Sequence, residues 1–176
     1  MRSSGGLRMR VNYLSKKETS MLADKIRSLY WGEVLKGKIR NAIEIRENEI
    51  RLYRIGGLII GEIDDKLYPV IHEKNHEVLN KLPAMVVDMG AVPHIVNGAD
   101  VMRPGVREFR GEFNEGDFVI IRDERNLKPL AVAIALVGLE ECKVMKRGKI
   151  AKNIHHVNDR IWKLMRRIRH ILEREL

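Results

Sequence analysis

Residues 72–76 have the types and spacing of a metal-dependent hydrolase site. They read His-Glu-Lys-Asn-His, which fits the H-E-x-x-H pattern. On a helix, two histidines four residues apart lie on one face and can bind Zn²⁺, while the glutamate acts as a general base toward a metal-bound water. The segment that could form this helix is short, because it is bounded by Pro69 and Pro83. A zinc metalloprotease with His72 and His76 as ligands is kept as an alternative to two exposed surface histidines.

Other catalytic patterns find less support in the sequence. Gly56, Gly57 and Gly61 lie between two predicted strands, whereas a phosphate-binding glycine loop opens a helix. Cys142 is the single cysteine, so it forms neither an internal disulfide nor a multi-thiolate zinc site, and we expect a buried structural thiol. We therefore predict a protein without catalytic activity or cofactor.

Residues 98–105, GADVMRPG, have strand-like alternation but are bounded by two glycines. Glycine in a strand often marks a bulge or a close approach by another backbone or a ligand, and proline removes a ladder donor. Without a Cβ at Gly98 and Gly105, a sugar-phosphate chain or a base edge could reach the main-chain amides. Arg103 would offer its guanidinium to a phosphate or a base, and Pro104 would fix the turn. The alternative is that both glycines only turn corners in a small barrel.

The positive charge of the chain is concentrated near its carboxyl end. The net charge is +9, and residues 143–176 hold 11 of the 33 Lys and Arg but three of the 24 Asp and Glu. The preceding 142 residues carry 22 basic and 21 acidic side chains, so they are nearly neutral. Such polarity is typical of a protein that binds a polyanion such as nucleic acid. A solvated basic helix without a partner is the alternative.

Size and hydropathy predict a globular protein of the cytoplasm. The chain has 176 residues with 44% apolar content, enough for one ordinary domain or two small ones. No apolar run reaches the length of a membrane span, and the amino-terminal MRSSGGLRMR lacks the apolar stretch of a signal peptide.

The first half of the sequence predicts a helix followed by an antiparallel meander. Ser15 and Glu18 fit a capping box, and apolar residues follow at helical spacing, which predicts a helix over residues 16–30. Residues 42–70 then alternate in short blocks separated by turn signals at 47–48, 56–57 and 64–65. A short helical segment runs to Pro83. We predict an amino-terminal α+β module over residues 1–82.

Residues 83–176 predict a small barrel and a closing helix. Short strand-like blocks are separated by turns at Gly98, Gly105, Gly116 and 128–129, a spacing typical of small barrels. Asn158 or Asp159 would cap the last helix. That helix has an apolar stripe and, nearly opposite, a basic stripe that we expect in solvent. The apolar stripe is Ile161, Met165, Ile168 and Leu172, and the basic stripe is Lys163, Arg167, His170 and Arg174.

Four ordered segments of this second half resemble the PUA domain, an RNA-binding pseudo-barrel. They read VVDMGAVPHIVNGADVMRPGV, EGDFVII, PLAVAIA and RGKIAKNIHHVNDRIW, and they cover about residues 84–162. Within PUA proteins, NIHHVNDRIW and the preceding meander ending in LYPV are most similar to the malignant-T-cell-amplified-sequence proteins and their archaeal relatives. This sequence departs from the family in having His155-His156 where His-Tyr is expected, and in its basic extension past Trp162.

The resemblance implies RNA binding in translation. PUA domains bind structured RNA, commonly tRNA ends, and the eukaryotic relatives act at the small ribosomal subunit in initiation, reinitiation and recycling with a partner that carries an initiation-factor-one-like domain. An accessory subunit that delivers tRNA to an RNA-modification enzyme is the alternative. The expected RNA contacts, carried over by position, are Gly98, Ala99, Asp100, Val101, Met102, Arg103, Pro104, Gly105, Lys152, His155 and His156. The basic extension adds Lys163, Arg167 and Arg174 to that set.

Overall fold

The computed structural model describes residues 8–176, which fold as two compact units. The first unit extends to Pro69 and includes Arg174–Leu176, and the second is Val70–Glu173. The sequence predicts no signal peptide in the first ten residues, and residues 1–7 of that segment lie outside the described residues. The module boundary between residues 82 and 83 stays a prediction. The α+β class, with a meander module before a curled sheet, is confirmed.

The first unit contains a five-stranded antiparallel sheet whose strands follow one another in chain order. Its two-residue turns at 56–57 and 64–65 place all four residues at positive φ, from 49° to 80°, as expected for type I′ hairpins. The meander is therefore confirmed, with one additional edge strand that the sequence did not predict, β1. The strands are β1 (Arg10–Tyr13), β2 (Ala42–Glu47), β3 (Ile50–Ile55), β4 (Leu58–Ile63) and β5 (Lys66–Pro69).

Helix α1 (Lys16–Arg27) begins with the capping box that the sequence predicts. The Glu18 amide donates to Ser15 Oγ at 3.2 Å, and the Ser15 amide donates to Glu18 Oε2 at 2.8 Å. The helix buries Leu22, Ala23 and Ile26. It ends three residues earlier than predicted, and Gly32 follows so closely that a Cβ there would lie 1.8 Å from the Ile26 carbonyl oxygen.

The second unit contains a six-stranded sheet in the order β7-β11-β10-β9-β6-β8. The β6–β9 pair is parallel and the other pairs are antiparallel. The two end strands, β7 and β8, are joined by the three residues Arg103–Gly105. So short a link requires the two ends of the sheet to approach each other, so the sheet curls into the expected pseudo-barrel. The strands are β6 (Ala84–Val87), β7 (Val101–Met102), β8 (Val106–Arg110), β9 (Phe118–Asp123), β10 (Pro129–Ala135) and β11 (Lys149–His156).

The core of the second unit lies inside the curled sheet. The short helices α2 (His76–Leu79), α3 (Val92–Ile95) and α4 (Leu139–Val144) connect its elements. Cys142 is fully buried in the core, and burial raises the pKa of its thiol. The structure thus agrees with a structural cysteine. The other buried residues of this core include Met85, Val87, Ile95, Val101, Val106, Phe113, Val119, Ile121, Ala131, Ala133 and Ile150.

The closing helix is divided into α5 (Arg160–Arg167) and α6 (Arg169–Leu172) at Ile168, whose φ and ψ are −102° and 17°. Asp159 is the cap, since its carboxylate accepts from the Trp162 amide at 2.8 Å, while Asn158 adopts a φ of 70° in the preceding turn. Of the expected apolar stripe, Ile161 is only partly buried and the other three residues are buried, whereas the four basic residues are exposed. None of the helices in residues 8–176 is long and apolar enough to cross a membrane.

Candidate nucleic-acid interface

The glycine loop, residues 97–100, follows α3 and is held to that helix by its own main chain. Gly98 has a φ of 93°, as is typical of the glycine that ends a helix. Its amide donates to the Ile95 carbonyl, and the Ala99 amide donates to the His94 carbonyl, both at 3.0 Å. The expectation that the Gly98 amide is open to RNA is therefore wrong, because that donor already has an acceptor. Asn97, Gly98 and Ala99 are nevertheless exposed residues, so the loop as a whole lies at the surface.

A second reason for glycine at position 98 is the neighbouring His156. A Cβ on Gly98 would lie 3.2 Å from His156 Nε2. The His156 ring is half-buried, and its Nδ1 lies 2.8 Å from the Val157 carbonyl oxygen. The structure thus brings together Gly98 and His156, two residues predicted from separate segments to share one RNA site.

Asn153 fastens the glycine loop to β11. Its side-chain amide donates to the carbonyl oxygens of Ile95 and Ala99, both at 3.0 Å, and its main-chain amide donates to Asp100 Oδ1 at 2.9 Å. In the β10–β11 pairing, Val132 faces His155 while Ala133 faces Asn153. Ile154 is therefore the extra residue of a β-bulge. The sequence-based site omitted Asn153, because its role depends on carbonyl groups more than fifty residues earlier in the chain.

Asp100 forms an ion pair at this edge, and a contact between Asp100 and RNA stays a prediction. Its Oδ2 lies 2.8 Å from Lys149 Nζ. Burial acts to raise the pKa of the Asp100 carboxyl, but the hydrogen bonds from Lys149 and the Asn153 amide, with the charge of Lys152, hold it below its ordinary value. The carboxylate is thus ionised at neutral pH and anchors Lys149 beside the glycine loop.

Arg103 holds the turn between β7 and β8. Its Nε donates to the Cys142 carbonyl at 2.7 Å, and Nη1 donates to the Val106 carbonyl at 3.1 Å. Its guanidinium carbon lies 5.0 Å from the centre of the Phe109 ring, within range of a cation–π interaction. A contact between Arg103 and RNA stays a prediction, and the observed bonds give this residue a structural role.

The remaining residues of the expected edge differ in exposure. Met102 and Pro104 are exposed, whereas the Val101 side chain is 1% exposed and belongs to the core. Gly105 is partly buried, and its carbonyl accepts from the Asp88 amide at 2.9 Å. A Cβ there would lie 3.3 Å from Ala91 Cβ, so this glycine fits a tight corner. The RNA contact expected at Val101 is therefore not one that its buried side chain can make.

His155 is fully buried, which corrects its assignment as an RNA contact. Its Nε2 accepts from the Ile71 amide at 3.1 Å, and Nδ1 lies 2.8 Å from Asp159 Oδ2. Because Nε2 accepts a hydrogen bond, Nδ1 carries the ring hydrogen and donates to the carboxylate. Burial acts to raise the pKa of Asp159, but the hydrogen bond from His155 and those from the amides of Trp162 and His156 hold it below its ordinary value. His155 thus positions the end of β11.

Lys152 lies in a stretch of the sequence that is rich in exposed cations. Residues 143–157 contain five Lys and Arg, two His and no Asp or Glu, and all five cations are exposed. Two of them have acidic partners: Lys143 Nζ lies 3.1 Å from Glu140, and Lys149 bonds Asp100. We call the set the β11 basic run: Lys143, Lys146, Arg147, Lys149 and Lys152. The prediction named only Lys152, although the lack of acidic residues was readable in the sequence.

Helices α5 and α6 contribute a second basic surface, and α5 also carries a half-buried tryptophan. Lys163, Arg167 and His170 are exposed, as predicted. Arg174 is also exposed but belongs to the first compact unit. Trp162 is not a core residue but lines a cavity of about 330 Å³. The other lining residues of that cavity are His72, Glu73, Met165, Arg166 and Arg169.

The H-E-x-x-H segment does not form the helix that a zinc peptidase requires. His72 has extended backbone, with φ −158° and ψ 149°, and its Nδ1 accepts from the Lys74 amide at 3.1 Å. A 3₁₀ turn covers Glu73–Asn75, and only His76 lies in α2. Across residues 8–176, no group of three or more His, Cys, Asp or Glu side chains is arranged to hold a metal. The two histidines therefore lack the helical spacing on which the protease alternative depends.

Comparison with known proteins supports the expected family. A model of the PUA domain matches residues 83–157. An uncharacterized protein of Methanocaldococcus jannaschii is 41% identical over 102 residues, 56% of this chain and 60% of that protein. Translation machinery-associated protein 20 of Saccharomyces cerevisiae is 28% identical over 66% of this chain and 67% of its own length. Malignant T-cell-amplified sequence 1 of Rattus norvegicus is 29% identical over 46% of each chain. The chain thus spans about two thirds or less of these relatives.

A solved structure extends the likeness to most of the chain. The crystal structure of a hypothetical protein from Pyrococcus horikoshii superposes with a TM-score of 0.72 at 29% identity, covering 88% of this chain and 99% of that one. Both compact units therefore have a counterpart in one known protein.

Proposed function

Because residues 83–157 of this chain form a PUA domain, we propose that the chain is an RNA-binding protein of translation. Its relatives include proteins named for association with the translation machinery. On this proposal the PUA domain contacts a tRNA acceptor end or ribosomal RNA at the small ribosomal subunit, in the cytoplasm. A protein with an initiation-factor-one-like domain would be its partner, and the chain itself would have no catalytic activity.

The observation that carries the proposal is the rigid glycine loop beside the β11 basic run. Asn153 and Asp100 tie the exposed loop to β11, so the loop keeps one position relative to Lys149 and Lys152. A fixed backbone surface next to several cations suits RNA, because phosphates supply attraction while the shape of the strand supplies selectivity. His156, half-buried against Gly98, adds an aromatic face at the same place.

The experiment compares two double variants with the same change in net charge. Arg147→Gln with Lys152→Gln removes two exposed cations of the β11 basic run, whereas Lys17→Gln with Lys66→Gln removes two exposed cations of the first unit. We expect the first pair to weaken tRNA binding by about tenfold or more and the second pair to have little effect, since each lost phosphate contact costs affinity. Equal effects of the two pairs would contradict this placement of the RNA.

Sedimentation with ribosomal particles distinguishes the two roles in RNA biology. Association of the wild-type protein with small subunits, lost in the Arg147/Lys152 variant, would support the role in translation. Co-purification with an RNA-modification enzyme and no ribosomal association would support an accessory tRNA-binding subunit instead. Assaying peptide hydrolysis by wild-type protein and the Glu73→Gln variant tests the remaining alternative, and we expect no hydrolysis from either.

A further inference from the structure

The first compact unit contains a pair of cavities lined by basic side chains. One cavity, of about 230 Å³, is lined by residues 38–41, Arg54, the Gly56–Gly57 turn and Leu176. The other, of about 540 Å³, shares residues 38–41 and adds Lys16 and Arg27. No acidic side chain lines either cavity in the described part of the chain. The pair therefore concentrates positive charge in a unit that is otherwise rich in both charge signs.

Arg54 lies in the smaller cavity and lacks a partner for part of its guanidinium. The residue is 6% exposed, yet its Nε and Nη1 have no hydrogen-bond acceptor among residues 8–176. In the strand register, Arg54 lies opposite Ile43 on β2 and opposite Ile59 on β4, so its neighbours on both adjacent strands are apolar. Burial lowers the pKa of Arg54, but a guanidinium remains charged in proteins. A buried cation with unused donors is destabilising unless an anion meets it.

The surrounding residues leave room for an anion beside Arg54. The turn residues Gly56 and Gly57 have φ of 54° and 80°, and a Cβ on Gly57 would meet no atom within 4 Å. Lys38 and Arg40 are exposed and line the same cavity, so they could supply further positive charge to its occupant.

We propose that the first unit binds an oxyanion of the phosphate class, with Arg54, Lys38 and Arg40 as its ligands. The planar fork of a guanidinium matches two oxygens of a phosphate, and the two neighbouring cations suit a dianion or a phosphodiester chain better than a lone chloride. The anion would complete the unused donors of Arg54. This site is separate from the PUA domain, and it does not depend on the function proposed for that domain.

The test measures thermal unfolding and calorimetric binding with inorganic phosphate and pyrophosphate, at constant ionic strength set by sodium chloride. We expect a saturable rise in Tm for the wild-type protein. Arg54→Met should bind phosphate at least about tenfold more weakly, since a charge-assisted contact is lost. The same variant should have a higher Tm without phosphate, because a methionine fits between Ile43 and Ile59 without an unpaired charge.

Two further variants test whether the phosphate response is specific to the site at Arg54. Arg10→Met removes an exposed arginine from β1 of the same sheet and should keep the phosphate response. Lys38→Ala with Arg40→Ala should weaken phosphate binding without raising the basal Tm. A phosphate effect no larger than that of chloride, or an unchanged response in Arg54→Met, would overturn the proposal.

A competition arm identifies the source of the phosphate. If a short single-stranded RNA displaces phosphate from the wild-type protein, and still does so from the Arg147/Lys152 variant, the anion is a phosphate of RNA bound at the first unit. If RNA does not compete while phosphate binds, the site takes a small phosphate compound. If the Arg147/Lys152 variant loses RNA binding but still binds phosphate, the phosphate site and the RNA site are independent, and each proposal can fail without the other.

Discussion

Asp159 combines three hydrogen bonds at the junction of β11 and α5. Its carboxylate accepts from the amides of Trp162 and His156 and from His155 Nδ1, at 2.8 to 3.0 Å. We expect Asp159→Asn to lower the free energy of unfolding by about 2–4 kcal/mol, because it removes a charged cap and places an amide donor against other donors. Urea unfolding measures the change. Glu77→Gln, at an exposed position of α2, is the control and should change stability by less than about 0.5 kcal/mol.

The same carboxylate predicts a pH dependence. The pKa of Asp159 lies below its ordinary value in the folded protein, so ionised Asp159 stabilises the fold. Its contribution is complete above the ordinary carboxyl pKa of about 4 and is lost as the pH falls through the lower, folded-state pKa. In Asp159→Asn this part of the acid destabilisation should be absent. If the free energy of unfolding fell equally on acidification in the wild-type protein and in Asp159→Asn, the role assigned to the Asp159 carboxylate would be contradicted.

Among the elements, the glycine loop depends on one side chain of β11. Replacing Asn153 by Ala removes both bonds that its side chain donates to the loop carbonyls, at a stability cost of about 1–2 kcal/mol. We expect RNA binding to weaken and amide exchange at Gly98 and Ala99 to accelerate, because the loop loses its attachment. Asn126→Ala, at an exposed position between β9 and β10 and outside the glycine loop, should alter neither property. Normal RNA affinity in Asn153→Ala would mean that loop rigidity is irrelevant to binding.

The sheet of the first unit contains a buried tyrosine, Tyr53, whose pKa is raised. Burial, with the hydrogen bond and charge of Glu62, raises the pKa of Tyr53 to about 12, and its hydroxyl donates to Glu62 Oε2 at 2.9 Å. The neutral phenol therefore stabilises the fold fully below the ordinary tyrosine pKa of about 10, and this contribution is lost as the pH rises toward 12. Ultraviolet titration of the wild-type protein should show a phenol step near pH 12. Tyr53→Phe should abolish that late step.

Local sequence signals predicted the elements better than the site. Turns with two positive-φ residues were readable at 56–57 and 64–65, because few residue types tolerate that conformation. Strand β1 was missed, since its four residues are defined only by pairing with β2. The burial of His155 depends on the Ile71 amide, 84 residues earlier, and no local pattern reports such a partner. Exposed cations were easier to anticipate, because long charged side chains seldom enter a core.

For the whole molecule, the distribution of charge predicts how RNA affinity responds to salt. The excess of cations lies in residues 143–176, divided between the β11 basic run and the exposed basic residues of the closing helix. If RNA meets about four to six of these cations, a log-log plot of affinity against salt should have a slope of about −3 to −5. A slope near zero would contradict phosphate-driven binding.

The contribution of the closing helix is best measured by neutralising it, not by deleting it. Leu164, Met165, Ile168, Ile171 and Leu172 are all buried, so removing residues 163–176 would damage the fold as well as the charge. Substituting Gln for Lys163, Arg167 and Arg174 preserves that apolar face. Because each lost contact with single-stranded phosphate reduces the slope by about 0.7, three contacts would change it by about 2. An unchanged slope would place the RNA on the β11 basic run alone, and the helix would then be a solvated basic surface.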